Sequence, residues 1–169
     1  MILQTKRLTL RPFSPPDEEV FIIGLGDGEL RRMYGFPAEL SKDMARRIFR
    51  QFSTLSTAFS LIRKADGILI GFLLDVPAEL PAHILRTLPE GGRTLAFATF
   101  APYQRRGYMR EAIRAVLEQH SELKDVPYLH GGHFPFNEPS QRLLAGLGFK
   151  TYGQHSIGTH TIMDEIHML

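Results

Sequence analysis

The chain has 169 residues, a formal net charge of +2 and no cysteine. That length suits one domain, residues 1–169, with a sizeable core, and the small net charge gives no support for a nucleic-acid partner. The missing thiol excludes a disulfide framework, a cysteine nucleophile and thiolate metal ligands, while the absence of any long apolar run or signal-like N-terminus points to a cytoplasmic protein without a membrane partner.

Residues 7–13 alternate polar and apolar, as a half-buried strand does, and Pro12 suits its end. Ser14-Pro15-Pro16-Asp17-Glu18 is a helix start, with a capping side chain, prolines where no N–H is needed and acids in the first turn. Val20, Ile23 and Leu25 give that helix an apolar side, and Gly24, Gly26 and Gly28 end it. The glycine trio follows a helix and not a strand, so it is read as a terminating turn and not as a dinucleotide loop. Residues 29–34 form a short helical turn broken by Gly35-Phe36-Pro37. Ser41 opens a second helix whose Met44, Ile48, Phe52 and Leu55 recur at helical spacing, with Arg46, Arg47 and Arg50 on its wetter side. Two apolar runs, 58–63 and 68–74, flank Lys64-Ala65-Asp66-Gly67, a hairpin signal. A long connection at 75–92 follows, with one helical turn at 82–88.

The rest of the chain is organised around Gln104-Arg105-Arg106-Gly107-Tyr108-Met109. A strand-like run at 94–100 leads into it and a helical run at 110–120 leads out. A glycine turn between strand and helix N-terminus presents backbone N–H groups and a positive dipole end to anions, and Arg105, Arg106, Arg110 and Arg114 add charge around it. The turn is therefore read as a pyrophosphate grip. Residues 127–133 form another strand, and Asn137-Glu138-Pro139-Ser140 begins a helix with Leu143, Leu144 and Leu147 on its buried side and Gly148 at its end. Strands at 149–157 and 161–169 close the chain around Gly158. The element order gives a mixed α/β sheet with helices on both faces.

The segment Pro102-Tyr103-Gln104-Arg105-Arg106-Gly107-Tyr108-Met109-Arg110-Glu111-Ala112 resembles the acyl-CoA motif of the GCN5-related N-acetyltransferases (GNAT), Gln/Arg-x-x-Gly-x-Gly/Ala, in the branch that contains the acetyltransferases of ribosomal-protein N-terminal alanines. The opening Thr5-Lys6-Arg7-Leu8-Thr9-Leu10-Arg11-Pro12-Phe13, the helix Asn137 to Phe149 with its Asn-x-x-Ser start, and Met163-Asp164-Glu165 match the same branch in the same order. The resemblance implies a single-domain acyl-CoA N-acyltransferase fold, a mostly antiparallel sheet splayed at the strands 94–100 and 127–133. It implies acetyl-CoA as co-substrate, no metal, and an amine acceptor, a protein N-terminus or a small amine. The protein is expected as monomer or homodimer. A domain of the same fold that holds acyl-CoA or CoA without turnover is the alternative.

By that resemblance Phe97, Ala98 and Thr99 meet the pantetheine arm, an N–H near Phe97 faces the thioester carbonyl, and the N–H groups of Arg105, Arg106, Gly107, Tyr108, Met109 and Arg110 hold the pyrophosphate beside Gln104. Asn137 binds pantetheine or an ordered water, and Ser140 protonates the departing thiolate; the alternatives are a helix cap for Asn137 and a partner of a first-turn backbone group for Ser140. Met109 stands where the motif has a small residue, and its side chain is expected to turn into the core. Thr94 stands near the place of a Glu in many members of the branch and cannot serve as a base. His133 is the candidate base in its stead, with Asp75, Glu29 or a water relay as alternatives. His130 and His133, an odd number of positions apart on one strand, are expected on opposite faces and make a poor metal pair.

Overall fold

The computed structural model describes residues 1–169. In chain order come β1 (Leu3–Gln4), β2 (Leu8–Arg11), α1 (Glu18–Leu25), α2 (Gly28–Tyr34), α3 (Lys42–Thr54), β3 (Ala58–Arg63) and β4 (Ile68–Pro77). There follow α4 (Ala82–Leu85), β5 (Arg93–Thr99), α5 (Tyr108–Leu123), β6 (Tyr128–His133), α6 (Glu138–Ala145), β7 (Lys150–Ile157) and β8 (His160–Met168). The strands form one sheet in the order β1-β2-β3-β4-β5-β6-β8-β7. β5 and β6 run parallel, pairing Arg93 with Leu129 and Thr94 with His130, while β1–β2, β2–β3, β3–β4, β6–β8 and β7–β8 are antiparallel. The expected α/β class and the mixed, mostly antiparallel sheet are thus both present. Two compact units divide the chain: Met1–Leu74 with Phe97–Ala115, and Asp75–Ala96 with Val116–Leu169.

The first unit is built on phenylalanine. Phe21 is fully buried and meets Phe13, Phe49, Phe52 and Phe100 edge-on, with centroids from 5.6 to 6.3 Å apart. Edge-to-face contacts suit the ring quadrupole and add to the burial of a large apolar area. Phe21 and Leu25, four positions apart, are the core stripe of α1. Ile23 lies two positions from each, on the far side of the helix, and is 70% exposed, contrary to the expectation that it packs inward. A similar correction applies to α3. Its buried stripe is Ala45, Phe49 and Phe52, one residue out of phase with the expected Met44 and Ile48, and Met44 is 42% exposed. The helical period is kept, and the aromatic at 49 sets the phase. Gly24 lets α1 lie on Phe100: a Cβ there would come within 2.5 Å of that ring. Asp17 is buried at the entry to α1, where it accepts from the Ser14 N–H at 2.8 Å and from both Nη atoms of Arg11 at 2.7 and 2.9 Å. The hairpin at Asp66-Gly67 forms as expected, with Gly67 left-handed and donating to the Arg63 carbonyl at 2.8 Å.

In the second unit β4 runs on to Pro77, past the expected end at Leu74. The reason is Asp75, which is not a loop acid but a buried one. Its Oδ1 accepts from Arg93 Nε at 2.5 Å and its Oδ2 from His120 Nε2 at 2.8 Å, while His120 Nδ1 donates to Asp125 Oδ1 at 2.9 Å. Arg93 also donates to the Asp75 carbonyl. This network secures the base of β5 and the last turns of α5. Leu80, Ile84, Tyr128 and Ile166 pack as a separate apolar cluster. The Tyr128 ring lies so close to Gly92 that a Cβ there would overlap it at 1.9 Å.

The hydrogen bond to Asp75 holds the His120 imidazole above its ordinary value, against burial, with Asp125 adding to the effect. A group whose folded value is raised stabilises the fold fully below its unfolded value of about 6.5, and that contribution is lost as pH rises through the folded value. Urea unfolding of the wild type and His120→Gln should therefore differ most near pH 5.5–6, with the gap narrowing toward alkaline pH. A gap that widens as pH rises would contradict the Asp75–His120–Asp125 arrangement.

Candidate functional site

β5 delivers the chain to the arginine turn with Phe97, Ala98 and Thr99 half-buried. Phe100 closes the strand, its N–H donating to the Ile70 carbonyl at 2.8 Å. Gly71 on β4 admits this close approach, since a Cβ there would lie 2.3 Å from the Ala98 carbonyl oxygen. A 3₁₀ turn at Ala101–Tyr103 follows, with Pro102 in its opening positions. Gln104 then reaches back, its Nε2 donating to the Thr99 carbonyl at 2.9 Å. The first residue of the motif is thus a brace between turn and strand.

Arg105 and Gly107 both adopt left-handed backbone, at φ 60° and 76°. Left-handed residues in a turn aim successive backbone N–H groups into one concavity, a form suited to phosphate. Gly107 takes that conformation without penalty, whereas Arg105 bears a cost on the order of 1–2 kcal/mol. α5 starts at Tyr108, so its orphan N–H groups and dipole open on the same turn. Arg105, Arg106, Gly107 and Arg110 are exposed, and Met109 is 7% exposed with its side chain in the core, as expected. The methionine therefore leaves its backbone face of the turn clear.

Two residues outside the motif hold the turn in place. Arg7 Nη1 donates to the Arg106 carbonyl at 2.9 Å, and its guanidinium lies 4.5 Å from the Tyr108 ring centre. Glu111, one turn into α5, accepts from the Arg7 N–H at 2.7 Å, from Arg7 Nε at 2.6 Å and from the Thr5 hydroxyl at 2.5 Å. Burial pushes the Glu111 carboxyl up, but the donors from Thr5 and Arg7 outweigh it and hold the group below its ordinary value. A charged acid is thereby fixed under the turn, with Arg7 as the strap across it.

In the second unit Asn137 caps α6, its Oδ1 accepting from the Ser140 N–H at 3.2 Å. This is the capping arrangement that its sequence position allows, and it brings Asn137 and Ser140 together, both half-exposed. His133 is buried, with Nδ1 donating to the Phe134 carbonyl at 2.9 Å and Nε2 3.2 Å from Glu165 Oε1. Glu165 accepts in addition from the Thr151 hydroxyl at 3.0 Å. Both ring nitrogens of His133 are therefore engaged within the protein. Asp75, an alternative base by sequence, is tied to Arg93 and His120, and Glu29 pairs with Arg32 on the surface of α2.

His130 lies on the other face of β6, as its spacing from His133 requires. There it joins a cluster that the sequence did not reveal. Its Nδ1 is 3.0 Å from the Thr94 hydroxyl and its Nε2 3.0 Å from Asp164 Oδ1, while His155 Nδ1 meets both oxygens of Asp164 at 2.9 and 3.0 Å. Asp164 has no exposure at all. Burial pushes its carboxyl up, but the hydrogen bonds from His130 and His155 prevail and hold it below its ordinary value. The register explains the arrangement. Asp164 faces Gly132 across β6 and Gly153 across β7, and His130 and His155 stand two residues from those glycines, leaning over the gaps from either side. Glycine beneath a residue on each flank of a strand acid was the one available signal, and only the pairing register makes it readable.

A family model for the acetyltransferase (GNAT) domain matches residues 7–150. Solved structures share the fold along the whole chain. A GNAT-family acetyltransferase from Bacillus anthracis has a TM-score of 0.82 at 17% identity, the match covering 99% of this chain and 98% of that one. RimL, a ribosomal L7/L12 alpha-N-protein acetyltransferase solved in complex with coenzyme A, gives 0.76 at 13% identity over 100% of this chain and 98% of that one. The ribosomal-protein-S5-alanine acetyltransferase from Vibrio fischeri gives 0.72 at 16%, covering 99% and 96%. At these identities the likeness is one of fold. No curated protein matches the sequence significantly.

The left-handed turn can be tested by stability alone. A Cβ on Gly107 would meet only Arg7 Nη2, at an ordinary 3.5 Å, so its cost is conformational. Gly107→Ala should lower the unfolding free energy by about 1–2 kcal/mol, and Arg105→Gly should not lower it. Equal stability of Gly107→Ala and wild type in urea would contradict the backbone geometry.

Proposed function

The chain belongs to the GNAT acetyltransferase family, and from that premise we propose that residues 1–169 act as one N-acetyltransferase domain that moves an acetyl group from acetyl-CoA directly to a primary amine, a protein N-terminus or a small amine. The observation that carries this reading is the turn itself. Left-handed Arg105 and Gly107 precede the first turn of α5, three exposed arginines surround it, and the one large apolar residue of the motif is withdrawn into the core. The backbone N–H groups of Arg105, Arg106, Gly107, Tyr108, Met109 and Arg110 take the pyrophosphate, and the arginine side chains neutralise its charge. Gln104, bonded to the Thr99 carbonyl, keeps this grip in register with the strand end.

Along β5, the backbone at Phe97, Ala98 and Thr99 pairs with the pantetheine amides, and the Phe97 N–H stabilises negative charge on the carbonyl oxygen. When bound, the co-substrate supplies the thioester acetyl group. The amine nitrogen bonds to the acetyl carbon, the carbon–sulfur bond breaks, the departing sulfur takes the Ser140 hydroxyl proton, and the proton lost by the acylated nitrogen restores that hydroxyl. Asn137, already holding the Ser140 backbone N–H, orients that residue at the first turn of α6. The likeness to RimL, an alpha-N-protein acetyltransferase, and to the S5-alanine enzyme supports a protein N-terminus as one acceptor class.

Calorimetry with acetyl-CoA and thiol release against an amine panel that includes free-N-terminal peptides test the reading. Gly107→Glu should abolish acetyl-CoA binding, because its carboxylate would face the pyrophosphate; retained affinity would contradict the assignment of the turn. Ser140→Ala should slow turnover by about a hundredfold, at the low end for a lost general acid, with acetyl-CoA affinity preserved. An unchanged rate would remove Ser140 from the mechanism. Binding without turnover on any amine would leave a CoA-binding module.

A further inference from the structure

Transfer to an amine at neutral pH requires that an ammonium first lose a proton, and the second unit holds one histidine arranged to receive it. Asp164 is wholly buried and its carboxyl is held ionised by its donors. An ionised carboxylate only accepts, so His130 Nε2 and His155 Nδ1 must both carry the hydrogens directed at it. For neutral His130 this fixes the tautomer. The lone pair lies on Nδ1, and Nδ1 is the atom 3.0 Å from the Thr94 hydroxyl. Thr94 therefore donates its only hydrogen inward. What its half-exposed oxygen offers to a ligand is lone pairs, which suit the N–H of an ammonium and not an acceptor.

His133 shows the contrast. It has a buried acid partner too, but its other nitrogen faces a backbone carbonyl, which fills the position that a proton-bearing group would need. Only His130 has a carboxylate on one nitrogen and a half-exposed hydroxyl on the other. That is the logic of a hydroxyl, an imidazole and an orienting acid, each within hydrogen-bond reach of the next. The titratable groups His130 meets are Asp164 and, across that carboxylate, His155; Glu165 and His133 lie on the opposite face of their strands.

We propose that Thr94 and His130 form the proton-accepting relay of the acetyl transfer, with Asp164 and His155 as positioning residues; this rests on the amine-acetyltransferase reading. The ammonium gives one proton to Thr94 Oγ1 while the Thr94 proton passes to His130 Nδ1. The neutral amine and an imidazolium, paired with the Asp164 carboxylate, result. The amine lone pair is then free to attack, and the same hydroxyl returns the proton to water once the product has left. His155, by its second hold on Asp164, keeps the carboxylate turned toward His130.

The test compares pH profiles of kcat/KM for the amine in the wild type, Thr94→Val, Thr94→Ser, His130→Gln and His155→Gln, with acetyl-CoA affinity measured in parallel. Thr94→Val and His130→Gln should each lose about 10²- to 10⁴-fold at neutral pH, without the ascending limb of the wild type and with acetyl-CoA affinity unchanged. Thr94→Ser should restore most of the rate, and His155→Gln should move the midpoint of the limb. A wild-type rate and profile in His130→Gln overturns the relay, and should that buried variant fail to fold, the isosteric Thr94→Val decides in its place. Imidazole nitrogen NMR on the resting protein gives a readout independent of turnover: His130, identified by its loss in His130→Gln, should show protonated Nε2 and bare Nδ1. The reverse tautomer overturns the relay. A wild type inactive on every amine sinks the acceptor reading and the relay's task with it, whereas turnover retained in the variants sinks the relay alone.

Discussion

A carboxylate withdrawn from water costs several kcal/mol unless donors replace the lost hydration. Each buried acid of this chain meets that requirement, and the sites are organised by how it is met. Asp17 takes a bidentate arginine, Asp75 an arginine and a histidine, Asp164 two histidines, and Glu165 a histidine and a threonine. Half-buried Glu111 does the same beneath the arginine turn, drawing on Thr5 and both backbone and side chain of Arg7. Several of these pairs, Asp75 with His120, Asp164 with His130 and Glu111 with Arg7 among them, join elements far apart in sequence and so tie strand and helix ends that apolar packing alone would let slide. Such networks are strict: satisfied they specify one arrangement, and broken they leave a charge stranded.

The same requirement sorts the histidines. An imidazole in contact with a carboxylate has one nitrogen fixed as donor, and its chemistry then depends on what meets the other. For His120 the second partner is another carboxylate, and the ring serves as a bridge. For His133 it is a backbone carbonyl, and the ring serves as a strut between β6 and β8. For His130 it is a half-exposed hydroxyl, the atom through which the proposed relay passes its proton. Three histidines of one protein thus differ in setting through their second neighbour and not through their acid.

Legibility in the sequence followed from range. Interactions between near neighbours were readable: the Asp66-Gly67 hairpin, the glycine at 107, the Asn137 cap and the strand–turn–helix order all follow from local backbone demands. Helix phase was only half readable. Periodicity located α1 and α3, but Ile23 and Met44 turned outward because Phe21 and Phe49, the largest apolar side chains available, claimed the core. Pairings across long separations were not readable. Thr94 and His130 are 36 positions apart, and Arg7 and Glu111 are 104 apart. Asp75 looked like the start of a loop because nothing near it in sequence announces Arg93 and His120 as its partners.

The contrast between the turn and the relay is also one of tolerance. In the proposed grip the working groups at the turn are main-chain N–H, so a position can answer to the core with its side chain and to the ligand with its backbone at once. Met109 turns its side chain into the core, so a bulky residue in a small residue's place does not crowd the turn. In the relay the working atoms are Oγ1 of Thr94, Nδ1 of His130 and the oxygens of Asp164, and their order depends on which atom holds each hydrogen. Exchange of the Asp164 carboxylate for an amide would keep the shape but replace one acceptor oxygen by a donor and remove the charge that pairs with an imidazolium. A site built this way admits conservative change at its threonine, where serine supplies the same hydroxyl, and none at its acid.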